Sequence, residues 1–151
     1  MKNTLIKTLA VAAFACGLAK AATPVNKGCS VTSLKGSFAY KGTGTIVTPP
    51  VVAGPIANVM ALTFDGIGAV SGSGVLSQNG NIIPVTVAGS YVMNADCTGT
   101  YSIQYAPLGI TSTFTFVMDN SGSDMMIICM DSGVVLDGIA RRQFPVGDWR
   151  Q

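Results

Sequence analysis

The strongest constraint on this chain is a period of two, in which bulky apolar side chains alternate with hydroxyl-bearing or small ones. Thr63 separates Leu62 from Phe64, and the same alternation places Phe114 and Phe116 on one face of a later run. Successive side chains of a β-strand point to opposite faces, so this period predicts strands with one buried face. Eight such runs follow one another, none with helical period, over 34–45, 56–64, 69–77, 82–93, 98–105, 111–118, 125–130 and 134–141.

The segments between the runs are short and contain turn residues such as Asn79-Gly80, which tolerate positive φ and join antiparallel neighbours. An eight-strand meander leaves no open edges when it closes into a barrel, and strand glycines such as Gly72 and Gly74 permit the bending that closure needs. We therefore predict an all-β, antiparallel up-and-down barrel of about eight strands, with a two-sheet β-sandwich as the alternative. The predicted interior includes Leu62, Phe64, Phe114, Phe116 and Met126.

The ends of the chain are expected to lie outside this domain. Lys2 and Lys7 precede an apolar run at 9–18 and the small-x-small sequence Ala19-Lys20-Ala21, which is the pattern of a secretory signal peptide. The apolar run is shorter than the ~20 residues that span a bilayer. The sequence thus predicts a signal peptide at 1–21, a barrel domain at 22–143 and a tail at 144–151 that carries Trp149. A secreted or periplasmic protein without a membrane span is expected.

Charge and proline content narrow the alternatives. Without residues 1–21 the chain keeps six Lys and Arg against seven Asp, so its formal net charge is −1 and it has no basic stripe for nucleic acid. Pro49, Pro50 and Pro55 predict that 48–55 is a protruding loop, because proline lacks the N–H that a central strand donates. The sequence does not indicate an oligomeric state.

Three cysteines follow residue 21. Cys29 and Cys97 lie in polar segments, whereas Cys129 lies in the apolar run 125–130. Export permits disulfides, and buried free cysteines behave as small apolar residues. We predict a Cys29–Cys97 disulfide and a reduced, buried Cys129.

Several longer segments carry a resemblance beyond this general pattern. They are Cys29-Ser30, Ser33-Leu34-Lys35-Gly36-Ser37-Phe38, Leu62-Thr63-Phe64-Asp65-Gly66-Ile67-Gly68, Asn94-Ala95-Asp96-Cys97-Thr98-Gly99-Thr100 and Gly138-Ile139-Ala140-Arg141-Arg142-Gln143. In these the chain resembles small exported bacterial β-barrel proteins, which are similar to the lipocalin-like and allene-oxide-cyclase-like barrels. The resemblance implies an eight-stranded barrel and transfers no catalytic residue.

The chemistry available to the chain is limited. It contains no His and no Glu, which removes the commonest general base and the imidazole ligands of zinc. It has no Cys-x-x-Cys pair, phosphate loop or dinucleotide motif, so we predict no catalytic residue, metal site or cofactor. Asp137 alternates with apolar residues, and it either faces solvent near Arg141 or lies in a pocket.

Three functions remain compatible with these residues. In the first, Met60, Phe64, Tyr101, Phe116 and Met118 enclose a small apolar molecule inside the barrel, since thioethers and aromatic rings adapt to apolar ligands. In the second, the same side chains fill a solid core, and loops or the tail of a structural protein contact other molecules. In the third, a pocket orients the substrate of a cyclase-type enzyme, which requires little acid–base equipment.

Overall fold

The computed structural model describes residues 28–119 and 121–143. Eight antiparallel strands form one closed barrel in which β8 pairs with β1, so the predicted fold is confirmed and the sandwich is not formed. Every strand was predicted, with bounds that differ by two residues at most. The strands are β1 Gly36–Ile46, β2 Gly54–Phe64, β3 Ala69–Gln78, β4 Asn81–Met93, β5 Thr98–Ala106, β6 Ile110–Met118, β7 Asp124–Cys129 and β8 Val134–Arg142.

The period of two separates a buried face from an exposed one along the strands. Leu62, Phe64, Phe114 and Phe116 are all at most 1% exposed, as predicted. The prediction for Met126 is wrong: its side chain is 62% exposed. Met125 lies inside instead, opposite Met118 in the register of β7 with β6. A shift of one residue along a strand reverses the face of every side chain, and the all-apolar run 125–130 offers no contrast from which to choose the face.

Two strand glycines make room for an aromatic ring inside the barrel. Gly42 of β1 lies opposite Gly138 of β8, and the Tyr40 ring packs over both. A Cβ on Gly138 would lie 2.6 Å from Cε2 of that ring, and a Cβ on Gly42 would overlap the Tyr40 hydroxyl. Glycine is therefore required at these positions to hold Tyr40 against the wall.

One end of the barrel, here called the disulfide end, contains the β2–β3, β4–β5 and β6–β7 connections and the N-terminal 3-10 helix, Val31–Leu34. Leu34 inserts into the barrel and is 0% exposed. The predicted disulfide joins Cys29 to Cys97 of the β4–β5 turn, and Cys129 is free and buried, so both cysteine predictions are confirmed.

Arg142 also holds this end together. Its guanidinium carbon lies 4.5 Å from the centroid of the Phe38 ring. The same group donates hydrogen bonds to the carbonyl oxygens of Ser33, Lys35 and Gly122, which belong to the N-terminal segment and the β6–β7 turn. Arg142 thus connects β8 to the 3-10 helix that covers the barrel.

The opposite end, here called the loop end, contains the β1–β2, β3–β4, β5–β6 and β7–β8 connections. A second 3-10 helix, Pro50–Val52, lies in the first of these, and none of its residues is buried. Side-chain donors of Gln78 and Asn79 hold this segment through the carbonyl oxygens of Val52 and Ala53. These hydrogen bonds therefore hold the β1–β2 loop in place at the loop end, but the 3-10 helix in that loop places no side chain in the barrel interior.

The predicted loop 48–55 is too long by two residues, because β2 already begins at Gly54 and includes Pro55. Pro55 pairs with Thr45 of β1, whereas the pairing of β2 with β3 begins only at Ile56. Proline lacks an N–H, but at the start of a strand that pairs on one side only, this missing donor breaks no hydrogen bond between strands.

Among the residues described, no helix is long and apolar enough to cross a bilayer. The predictions for the signal peptide and for the tail with Trp149 fall outside the described residues.

Candidate functional site in the barrel interior

The five side chains predicted to surround a ligand are all buried. Phe64, Tyr101 and Phe116 lie in one aromatic cluster, with ring centroids 6.2 Å apart for Phe64 and Tyr101 and 6.3 Å apart for Tyr101 and Phe116. Met60 of β2 is the register partner of Tyr40 on the neighbouring strand β1. Met118 of β6 is the register partner of Met125 on β7, toward the disulfide end. The structure therefore brings the three aromatic residues into contact and places the two methionines on different sides of them.

The aromatic cluster fills the half of the interior nearer the disulfide end. The Phe38, Phe64 and Tyr91 rings meet edge to face, with centroids 5.5 and 5.1 Å from Phe64. Tyr101 stacks on Phe114 at 4.8 Å with 16° between the ring planes. The edge-to-face pairs place the positive edge of one ring against the negative face of the next, and both edge-to-face and offset-stacked pairs stabilise the cluster beyond its buried area.

Beside the aromatic rings, three buried side chains carry polar atoms that lack a hydrogen-bond partner among the described residues. Tyr40, Asn58 and Tyr101 are 2%, 4% and 1% exposed. Asn58 lies opposite Gly42 in the register, and its carboxamide oxygen is 2.7 Å from the position that a Gly42 Cβ would occupy, where the Tyr40 hydroxyl also lies. These three residues are called the polar cluster below.

The polar cluster has no hydrogen-bond partners among the described residues. This applies to the hydroxyls of Tyr40 and Tyr101 and to both the nitrogen and the oxygen of the Asn58 carboxamide. Asn58 lies close enough to lower the pKa of Tyr40, although no hydrogen bond of ordinary geometry joins the two groups. A buried polar atom without a partner costs about 1–3 kcal/mol, so a group of four such atoms requires a physical explanation.

Burial favours the neutral forms of the Tyr40 and Tyr101 phenols and of the Cys129 thiol. Burial raises the pKa of Tyr40, and Cys129 and Asp137 raise it further. Burial likewise raises the pKa of Tyr101 well above its usual range, with Tyr40, Tyr105 and Cys129 as further contributors. Burial also raises the pKa of the Cys129 thiol. At neutral pH the cluster can donate and accept hydrogen bonds, but it holds no thiolate or phenolate that would act as a nucleophile or base.

No charged side chain is buried among the described residues, so the interior offers a ligand no counter-ion. Asp137 is exposed on β8, which decides between the two placements expected for it. Its expected neighbour Arg141 pairs instead with Asp124, at 3.0 Å between Nε and Oδ1. Over the described residues, no group of three or more Cys or Asp side chains is arranged to hold a metal ion.

Two members of the polar cluster, Tyr40 and Asn58, were missed by sequence reasoning, and a signal for each was present. Asn58 has the same parity as Met60, Leu62 and Phe64, so period-two patterning alone would have placed it inside. Its polarity made it look like a surface residue. Tyr40 has the parity of Phe38 and was identifiable in the same way.

The outer face of β1, β2 and β3 carries a shallow depression as a second candidate. It has a volume of about 400 Å³, and its wall includes Ala39, Lys41, Val59, Ala61 and Ser73. All five side chains lie on the exposed face, and the small ones create the depression. The polar atoms of Tyr40 and Asn58 that lack partners lie on the inner side of the same wall, so the interior remains the stronger candidate.

Two solved structures are similar to this chain. A redesigned β-barrel matches with a TM-score of 0.53 and 16% identity, over 76% of this chain and 96% of that one. The redesigned β-barrel mFAP1, in a structure bound to DFHBI, matches with a TM-score of 0.53 and 16% identity, over 75% and 98% of the two chains. No family model and no curated protein matches the chain. At this identity the similarity establishes the fold alone, an eight-stranded barrel.

Proposed function

We propose that this chain is an exported protein, secreted or periplasmic, that binds one small, uncharged and largely apolar molecule inside its barrel. The observation that carries the proposal is the polar cluster, whose buried groups lack partners in an interior otherwise built from apolar side chains. A ligand inside the barrel would supply the partners that these buried polar groups lack. The Cys29–Cys97 disulfide supports export, because such bonds persist in oxidising compartments.

The position of the cluster supports an access route from the loop end. The disulfide end is covered by Leu34 and closed by Arg142, whereas no residue of the second 3-10 helix is buried. Partly buried side chains of Ile56, Ile83 and Val134 border the interior near the loop end. The redesigned barrel whose structure is bound to DFHBI gives further support, because a barrel of similar fold binds a small molecule.

The test is titration of the purified protein with N-phenyl-1-naphthylamine, a neutral fluorophore that brightens in apolar surroundings. We expect saturable binding of one probe per chain, displacement by neutral apolar competitors and loss of binding on unfolding. Two neighbouring variants locate the site: Met60→Trp fills the interior beside the cluster, and Ala61→Trp fills the outer depression. We expect Met60→Trp to abolish binding and Ala61→Trp to leave it unchanged, with circular dichroism confirming that both variants fold.

Absence of saturable binding would support the solid-core alternative, in which the protein acts through its surface. Binding that Ala61→Trp abolishes and Met60→Trp preserves would move the site to the outer depression.

A further inference from the structure

We infer that the ligand carries an uncharged amide or lactam group, which Asn58, Tyr40 and Tyr101 recognise, on a compact apolar body. This inference rests on the proposed function and specifies the ligand that the interior selects. It depends on three observations: which hydrogen-bonding groups the polar cluster offers, which charges the interior lacks, and which surfaces surround the cluster.

The cluster offers four donor hydrogens and three oxygen atoms that can accept. The two tyrosine hydroxyls each supply an O–H, and the Asn58 carboxamide supplies two N–H groups and one carbonyl oxygen. Because burial raises the pKa of both phenols, their protons remain in place at neutral pH. A ligand that satisfies these groups needs at least one strong acceptor, such as a carbonyl oxygen.

Asn58 adds a second requirement. A primary carboxamide presents a donor and an acceptor side by side, and the complementary group is another amide, with its carbonyl oxygen and N–H in the same arrangement. A lactam meets this requirement in a rigid form that loses little conformational entropy on binding. A ketone or an ether brings no donor of its own, so only the neighbouring Tyr40 hydroxyl could then donate to the Asn58 oxygen.

Charge excludes the other common carbonyl group, the carboxylate. Arg142 lies at the disulfide end, where its guanidinium donates to three carbonyl oxygens, and the Lys41 side chain is exposed on the outer face. A carboxylate beside Asn58 would lose its hydration without gaining a cation, which is strongly unfavourable in an apolar interior. The cluster therefore favours a neutral ligand.

The surfaces around the cluster are apolar and partly flat. The Tyr101 ring, whose hydroxyl belongs to the cluster, stacks on the Phe114 ring. The side chains of Met60 and Ile103 are apolar, and both are at most 5% exposed. The ligand body should match these surfaces, with the amide group directed toward Asn58.

The experiment compares three probes of nearly equal size: 2-quinolone, which carries a lactam, naphthalene, which carries no polar group, and 2-naphthoate, which carries a charge. Their affinities for the disulfide-bonded protein are measured by calorimetry and by displacement of N-phenyl-1-naphthylamine. We expect 2-quinolone to bind about tenfold more tightly than naphthalene, and 2-naphthoate to bind most weakly.

Asn58→Leu replaces the carboxamide by an apolar group of similar size, and Asn81→Leu makes the same change at an exposed position of β4. We expect Asn58→Leu to reduce the advantage of 2-quinolone over naphthalene to about twofold or less, with naphthalene affinity nearly unchanged. Asn81→Leu should leave both affinities unchanged. Tyr101→Phe, which removes one oxygen atom, should reduce the 2-quinolone affinity about threefold and serves if Asn58→Leu does not fold.

The outcomes separate this inference from the proposed function. If naphthalene and 2-quinolone bind equally, or if both Asn58→Leu and Tyr101→Phe keep the full advantage of 2-quinolone, the inference is wrong and the cluster is satisfied by water alone. Stronger binding of 2-naphthoate would also overturn it. If neither these probes nor N-phenyl-1-naphthylamine bind, the proposed function itself fails.

Discussion

The two 3-10 helices of this protein lie at opposite ends of one barrel and differ in what they bury. Val31–Leu34 inserts Leu34, which is 0% exposed, whereas Val51 of Pro50–Val52 is 88% exposed. The disulfide and the hydrogen bonds of Arg142 also concentrate at the first end. The difference indicates that the contacts that hold the barrel together concentrate at the disulfide end, so we expect local stability to be higher there than at the loop end.

The largest expected effect is at the two 3-10 helices themselves. Leu34→Ala removes a fully buried side chain and should lower the free energy of unfolding by about 2–5 kcal/mol, through lost burial and the cavity left behind. Val51→Ala, the matched change at the loop end, should alter it by less than about 0.5 kcal/mol. Urea unfolding of both variants gives the comparison, and equal losses would remove the difference between the ends.

The disulfide is the next strongest contribution. Replacing Cys29 and Cys97 together by alanine should lower the free energy of unfolding by about 2–4 kcal/mol, because the bond closes a loop of 68 residues in the unfolded chain. Denaturant unfolding with and without a reductant measures this change, and a reductant should have no further effect on the double variant. A stability unchanged by the double substitution would show that the bond contributes little to holding this end.

Two adjacent arginines test whether contact geometry or charge stabilises the disulfide end. Arg142→Gln removes the interaction with the Phe38 ring and three hydrogen bonds to carbonyl oxygens, and should cost about 2 kcal/mol. Arg141→Gln removes an equal charge from an exposed pair with Asp124 and should have a much smaller effect. Equal losses on thermal unfolding would indicate that charge alone matters.

Alkaline pH should act on the polar cluster. Burial raises the pKa of Tyr40 and Tyr101 in the folded protein above the ordinary value of 10.0, so the unfolded chain releases these protons first as the pH rises. Their contribution to stability is complete below pH 10 and decreases above it, by about 1.4 kcal/mol per pH unit for each tyrosine. Unfolding between pH 9 and 12 measures the slope, and the double variant with phenylalanine at both positions should show a shallower one.

Acid should act on the disulfide end, with the smallest effect. Asp65 accepts hydrogen bonds from the backbone of Ile67, Gly68 and Ala69, and these bonds lower its pKa below 3.8. Its contribution is present above pH 3.8 and is lost as the pH falls through the lowered value. We expect Asp65→Asn to weaken the dependence of the melting temperature on pH between 2 and 5. An unchanged dependence would show that this turn does not contribute.

The strand order and the barrel were predictable because each strand has its own period-two pattern and each connection its own turn residues. Asn79-Gly80, for example, joins β3 to β4 with positive φ at both residues. The disulfide was predictable from polar context. The face of β7 was not, because residues 125–130 are all apolar and the alternation between buried and exposed positions leaves no trace.

Features of the ends and of the candidate site were harder to predict for a different reason. Leu34 was assigned to a strand, because one buried leucine does not distinguish a strand from a 3-10 helix. The contact of Arg142 with Phe38 depends on pairing between the first and last strands, which no local pattern encodes. The grouping of Asn58 with Tyr40 and Tyr101 likewise arises only when three separate strands surround one interior.

The pairing of β8 with β1 means that the ring of strands has no physical beginning. A circular permutant that joins the present ends by a flexible linker and starts at Asn81 would place every strand beside the same two neighbours. The chain can be opened at the exposed Asn79-Gly80 turn, provided that Asn79 keeps its hydrogen bond to the carbonyl oxygen of Ala53. The order in which the strands are synthesised can therefore be changed without changing which strands pair in the barrel. Circular permutation of the gene thus separates the effect of synthesis order on folding from the effect of strand pairing.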